Sequence, residues 1–102
     1  MKNRDRQAMV RHMEDRVTVS DAIVSELERA RVDTLFGIIS IHNIPIYDAV
    51  ARHGGFRVIK PRGESGAVNM ADAFGRIGDR LGVAITSTGT GAGNAAGSMI
   101  EA

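Results

Sequence analysis

An open α/β sheet, mostly parallel and with helices on both faces, is the fold class that this sequence predicts. Three observations carry the prediction. Helix-like and strand-like segments alternate from Val17 onward, no hairpin signal joins one strand-like run to the next, and turns containing glycine or proline punctuate the boundaries. Strands that are separated by helices pair in parallel through crossovers, which are right-handed where chirality applies.

Each element follows from local chemistry. Thr18 or Ser20 can cap a first helix that runs to about Arg31, with Val19, Ala22, Ile23, Leu27 and Ala30 facing inward and Asp21, Ser25, Glu28 and Arg29 mostly outside. Thr34 to Gly37 reads as a short buried strand closed by glycine. Ile38 to His42 is a loop or strand end; Asn43 then caps a helix with Pro45 near its first turn, carrying Ile46, Tyr47, Val50 and Ala51 toward the interior. Gly54-Gly55 ends that helix, and Phe56 to Lys60 alternates as a half-buried strand stopped by Pro61. A helix headed by Glu64 runs to about Gly78, and Leu81 to Thr86 is a third strand. The glycine-rich turn Ser87 to Asn94 opens a last helix, of which about two turns precede Ala102.

A parallel sheet has both faces covered and presents its ligand site at the carboxyl ends of its strands. Gly37, Arg62 to Glu64, and Ser87 to Asn94 all follow strands, so they are expected to share that edge. Residues 1–16 form an N-terminal arm and residues 17–102 the α/β unit.

Composition sets the outer bounds. A chain of 102 residues is one domain at most, with a modest core. Its 43% hydrophobic and 25% charged residues are ordinary globular values that exclude wholesale disorder and low complexity. The absence of cysteine excludes disulfides and thiolate metal sites and is compatible with a reducing cytoplasm, the expected location. Ile38 to Ile46 and Leu81 to Ile85 are interrupted and far shorter than the ~20 residues of a membrane span, so no membrane partner is expected.

The arm carries Lys2, Arg4, Arg6, Arg11 and Arg16 against Asp5, Glu14 and Asp15. Its acids weigh against a transit peptide. Mixed signs with no interleaved aromatic weigh against nucleic acid as a partner, which leaves a solvated, poorly ordered terminus.

Two features carry chemistry. Glycines between a strand and a helix let backbone N–H groups approach an anion or a ring, and Gly91-Ala92-Gly93-Asn94-Ala95-Ala96 matches the loose dinucleotide pattern G-x-G-x-x-A. The acidic ribose partner of that pattern, ~20 residues on, would fall beyond Ala102. A nucleotide-binding Rossmann-like module is therefore one reading. The second feature is Glu64, alone in a Gly-Glu-Ser-Gly turn at the mouth of a small-residue helix. There the macrodipole favours the carboxylate while apolar surroundings favour its neutral form. The plain alternative is an exposed first-turn acid that stabilises its helix by a few tenths of a kcal/mol.

His42 follows a strand end and is a candidate for proton transfer, against the alternative of a solvated helix-entry residue. His12 and His53 read as surface residues, and no histidine and carboxylate spacing suggests a metal site. Gly66, Ala67, Ala71 and Gly75, at one-turn spacings, permit close helix packing against a second subunit or against the chain's own sheet.

The run Arg62-x-Glu64-x-x-Ala67-x-x-Met70-Ala71-Asp72-Ala73-Phe74-x-Arg76, followed by Gly82-Val83-x-Ile85-Thr86-Ser87-Thr88-Gly89-Thr90-Gly91-Ala92-Gly93-Asn94, resembles the N-terminal pyrimidine-binding domain of thiamine diphosphate enzymes, in the group of acetolactate synthases and 2-oxo acid decarboxylases. Phe36-Gly37 and then Ile44-Pro45-Ile46-Tyr47-Asp48-Ala49 resemble the acetolactate synthases in particular.

The resemblance implies the fold of that domain and a catalytic Glu64 that hydrogen-bonds N1′ of the cofactor's aminopyrimidine. This favours the imino tautomer that removes the C2 proton, and the activated cofactor then attacks the carbonyl of a 2-oxo acid. It also implies Ile39, Ser40, Thr90 and Asn94 beside Glu64 at the cofactor, while His42, read from its place after a strand end, stands as a second candidate catalytic group. A homodimer or homotetramer is expected, with Mg2+ held by a domain outside this chain, and FAD is admitted as a further cofactor. No Gly-Asp-Gly for the diphosphate occurs in the sequence, so a fragment of a longer subunit is expected. The chain departs from the family at Ile38-Ile39-Ser40, where many members have an aromatic residue, proline and glycine. It departs again at Gly63, Ser65 and Thr90, which replace a frequent histidine, glutamine and proline. A noncatalytic partner that keeps the fold is the remaining alternative.

Overall fold

The computed structural model describes the backbone of residues 2–14 and 17–102, with the side chains of residues 2–9 and 17–102. The roles expected for Arg11, His12, Glu14, Asp15 and Arg16 lie outside the described residues. In chain order the elements are α1 (Asn3–Glu14), α2 (Val19–Arg29), β1 (Thr34–Gly37), α3 (Ile44–His53), β2 (Arg57–Ile59), α4 (Glu64–Ile77), β3 (Ala84–Ile85) and α5 (Thr90–Glu101). Where the sequence suggests an unstructured arm, α1 is helical, and its described side chains are all exposed.

β1 forms the middle of a parallel sheet ordered β2-β1-β3. Its register sets Leu35 beside Val58 and Phe36 beside both Ile59 and Ala84. Side chains alternate across a strand, so Leu35 joins Val24, Val32, Ala49 and Val50 under α2 and α3, whereas Phe36 packs on Ala67 and Ala71 of α4. The Phe36 and Phe74 rings meet edge to face at 5.6 Å. Helices thus cover both faces of an open sheet, as expected. No helix among the described residues is long and apolar enough to cross a membrane.

Several expected faces and boundaries shift. In α2 the buried residue is Val24, with Leu27 half-buried, while Val19 is 79% and Ile23 38% exposed. Asp21, expected outside, turns toward α3 and pairs with Arg52 at 3.0 Å. Packing against α3 rotates α2 so that Val24, not Ile23, reaches the core. In α3 the inward small residue is Ala49; Ala51, two residues on, lies about 200° further round and is exposed.

β3 is confined to Ala84 and Ile85, and Leu81 is exposed, because the approach to the strand is pressed against α4. A Cβ on Gly82 would strike the Ala71 carbonyl, and one on Gly75 would lie 3.1 Å from the Gly82 nitrogen. The small-residue stripe of α4 therefore packs against the chain's own sheet and its approach. α5 begins at Thr90, earlier than expected, and takes Gly91, Gly93 and Asn94 into the helix.

Candidate functional site

Three strand exits meet at the carboxyl edge of the sheet. β1 leaves through Gly37, where a Cβ would collide with the Ile85 carbonyl and the Tyr47 hydroxyl. The following loop is shaped by Asn43, which is only 3% exposed. Its Oδ1 accepts the Ser40 N–H at 2.7 Å and its Nδ2 donates to the Ile38 carbonyl at 3.0 Å. Asn43 occupies the N-cap position of α3 but makes no side-chain cap hydrogen bond there. Closing the loop satisfies a buried amide that would otherwise be costly, so Asn43 is a loop clamp rather than the expected helix cap. Among the described residues the buried Ser40 Oγ and Tyr47 hydroxyl find no hydrogen-bond partner, and burial raises the Tyr47 pKa above the usual phenol range.

β2 leaves through Pro61, Arg62 and Gly63, and α4 starts at Glu64. Gly63 supplies no capping side chain; its carbonyl accepts the Ala67 N–H at 3.1 Å. Glu64 is half-buried. Among the described residues no ion pair or hydrogen bond engages its carboxylate.

β3 leaves through Thr86 to Gly89, and Gly89 takes φ 62°, a region that side-chain-bearing residues rarely adopt. That turn sets buried Gly91 beside Glu64: a Cβ at position 91 would lie 3.2 Å from Glu64 Oε1 and 2.8 Å from Ser87 Cβ. The carboxylate therefore lies at the first turns of both α4 and α5, where unpaired N–H groups and helix dipoles concentrate positive potential. A half-buried acceptor with no partner among the described residues, set against bare backbone, can take a hydrogen bond from a flat N–H-bearing ligand such as a protonated ring nitrogen.

A family model described as "Thiamine pyrophosphate enzyme, N-terminal TPP binding domain" matches residues 17–102. The chain belongs to this family. Among its relatives, the mitochondrial acetolactate synthase catalytic subunit of Saccharomyces cerevisiae is 34% identical over 76 residues, which are 74% of this chain and 11% of that protein. A probable 2-ketoarginine decarboxylase of Pseudomonas aeruginosa is 35% identical over 86 residues, 84% of this chain and 15% of that protein. The acetolactate synthase large subunit of Corynebacterium glutamicum is 35% identical over 80 residues, 78% of this chain and 13% of that protein. The chain thus spans 11% to 15% of the length of these relatives.

Membership in the thiamine pyrophosphate family implies thiamine diphosphate as cofactor, and the residues present fit it. Glu64 offers an unpartnered acceptor, and Gly91 leaves a cradle that any Cβ would fill. Ile39 and Ser40 sit on the loop clamped by Asn43, with Ile39 45% exposed and the Ser40 hydroxyl buried. His42 is exposed on the same loop, and Thr90 and Asn94 are exposed one turn apart at the start of α5. The neighbour of Glu64 is Gly91, which the sequence presents only as a member of a glycine-rich turn. The clamp by Asn43 was likewise hidden, since an asparagine before a helix reads as a cap.

Proposed function

We propose that this chain is the pyrimidine-binding part of a thiamine diphosphate enzyme acting on 2-oxo acids, by decarboxylation or by carboligation as in its acetolactate synthase relatives. The observation that carries the reading is the Glu64 carboxylate, half-buried, without a partner among the described residues and lodged against Gly91 at two helix N-termini. Thiamine diphosphate, when bound, supplies the acidic C2 carbon and the electron sink for 2-oxo acid chemistry. Glu64 accepts a hydrogen bond with partial proton transfer at Oε1, from a position that the surrounding backbone holds. The Asn43 clamp fixes Ile39 and Ser40 as one wall, and Thr90 and Asn94, exposed at the start of α5, offer polar groups. His42, exposed, is available to a substrate that approaches from solvent.

The same geometry disfavours the nucleotide reading. A dinucleotide pyrophosphate would need the α5 N-terminus, and that position already faces the Glu64 carboxylate. The remaining roles expected of the whole protein belong to the same proposal. They are Mg2+ held by another domain, FAD as an admitted further cofactor, and assembly as a homodimer or homotetramer.

Glu64→Gln in the protein carrying this chain tests the reading. The expected outcome is a loss of about 100-fold or more in the rate of thiamine diphosphate C2 proton exchange, followed by NMR after acid quench, with an unchanged circular dichroism spectrum. Near-normal exchange would leave the noncatalytic partner as the surviving reading.

A further inference from the structure

We propose that Gly91 is a positioning residue for Glu64: its missing side chain sets where the carboxylate rests, with Ser87 closing the other side of the seat. The proposal rests on the functional reading above for its catalytic consequence, and on geometry alone for the positioning itself.

Gly91 is not glycine for the sake of its backbone, because the positive φ values in this region belong to Gly89 and not to Gly91. Inside a helix glycine is disfavoured relative to alanine, so its presence in the first turn of α5 calls for a spatial reason. The neighbouring glycines show that the reason is local. A Cβ on Gly93 or Gly97 would meet nothing within 4 Å, whereas one on Gly91 meets Ser87 Cβ at 2.8 Å and Glu64 Oε1 at 3.2 Å. The first contact is too close for any Cβ; the second obliges a flexible carboxylate to give by a few tenths of an ångström. Ser87 is itself held, its Oγ donating to the Thr88 carbonyl at 3.2 Å. A carboxylate displaced from its working position loses rate steeply, since catalysis depends on alignment.

The test separates the two contacts. Ser87→Gly removes the Cβ that blocks position 91, and Gly93→Ala strengthens α5 at an open site; this double variant is the background. Adding Gly91→Ala to it is expected to slow C2 proton exchange of thiamine diphosphate about 10-fold or more. In the same background carrying Glu64→Gln, it is expected to change the rate less than about twofold, because the group it acts through is gone. Where Glu64→Gln itself slows exchange, an equal loss in both backgrounds means a general structural effect and overturns the proposal. So does a variant that no longer folds, because alanine raises helix propensity and the contact with Glu64 alone is left to resist it.

A readout without cofactor distinguishes this proposal from the functional one. With 13C-labelled glutamate carboxyls, the Glu64 resonance is expected to shift when Gly91→Ala is added. A shifted resonance together with exchange that is indifferent to Glu64→Gln retains the positioning and discards the thiamine role. An unmoved resonance discards the positioning.

Discussion

Gly37 is restricted by its neighbours and not by its own backbone angle. A Cβ there would meet the Ile85 carbonyl, which the strand pairing holds in place, and the Tyr47 hydroxyl, which is buried without a partner. Gly37→Ala is therefore expected to cost about 1–3 kcal/mol or more in urea denaturation, as overpacking does. Tyr47→Phe, which removes an unsatisfied buried hydroxyl, is expected to be close to neutral or stabilising by up to ~1 kcal/mol. A large loss on Tyr47→Phe would show that the hydroxyl has a partner. At this scale Glu64 was legible in the sequence, since a lone acid between glycines at the head of a small-residue helix is unusual chemistry. Its contact with Gly91 was not, because it joins the starts of two helices that are distant in sequence.

The start of α2 shows what local chemistry settles by itself. The Thr18 hydroxyl accepts the Asp21 N–H at 3.1 Å, and Asp21 Oδ2 accepts from the Thr18 hydroxyl at 2.7 Å and the Thr18 N–H at 3.1 Å. Thr18→Ala is expected to cost about 1 kcal/mol. These bonds, the Thr18 hydroxyl first, then the Thr18 N–H and Arg52, hold the Asp21 carboxyl below the ordinary aspartate range. A depressed folded pKa contributes stability above the unfolded value and loses it as pH falls through the folded one. Thermal melts of wild type and Asp21→Asn should differ most above about pH 4 and converge as the pH falls further; a gap that persists unchanged in acid would refute the linkage. The cap was readable because it involves residues three apart. The inward face of α2 was not, since Val19, Ile23 and Val24 are equally apolar and only the approach of α3 chooses Val24.

At the scale of the molecule, and among the described residues, one four-residue strand, β1, carries both partners of the sheet and both core clusters. Its carboxyl end, with those of β2 and β3, gathers Glu64, Gly91 and the Asn43-clamped loop along a single edge. Along this edge, the proposed seat for a pyrimidine, there is among the described residues no cluster of three or more histidines and acids suited to a metal ion. Calorimetric titration of the 102-residue chain with thiamine diphosphate and magnesium is expected to give weak heat or none. Binding at micromolar Kd, about 8 kcal/mol, would show that the chain holds the diphosphate by itself.

From Val17 onward the sequence by itself determined the order of elements, their parallel pairing, the edge that carries the proposed site, and the place of Glu64 in the first turn of α4. These depend on caps, glycine and proline punctuation and hydrophobic period, all of which act within a few residues. Only the tertiary structure decided which face of α2 is buried, that Asn43 clamps a loop, that α5 begins at Thr90, and that Gly91 receives the Glu64 carboxylate. Those outcomes depend on which surfaces come within van der Waals reach, and packing fixes that between segments that share no local signal.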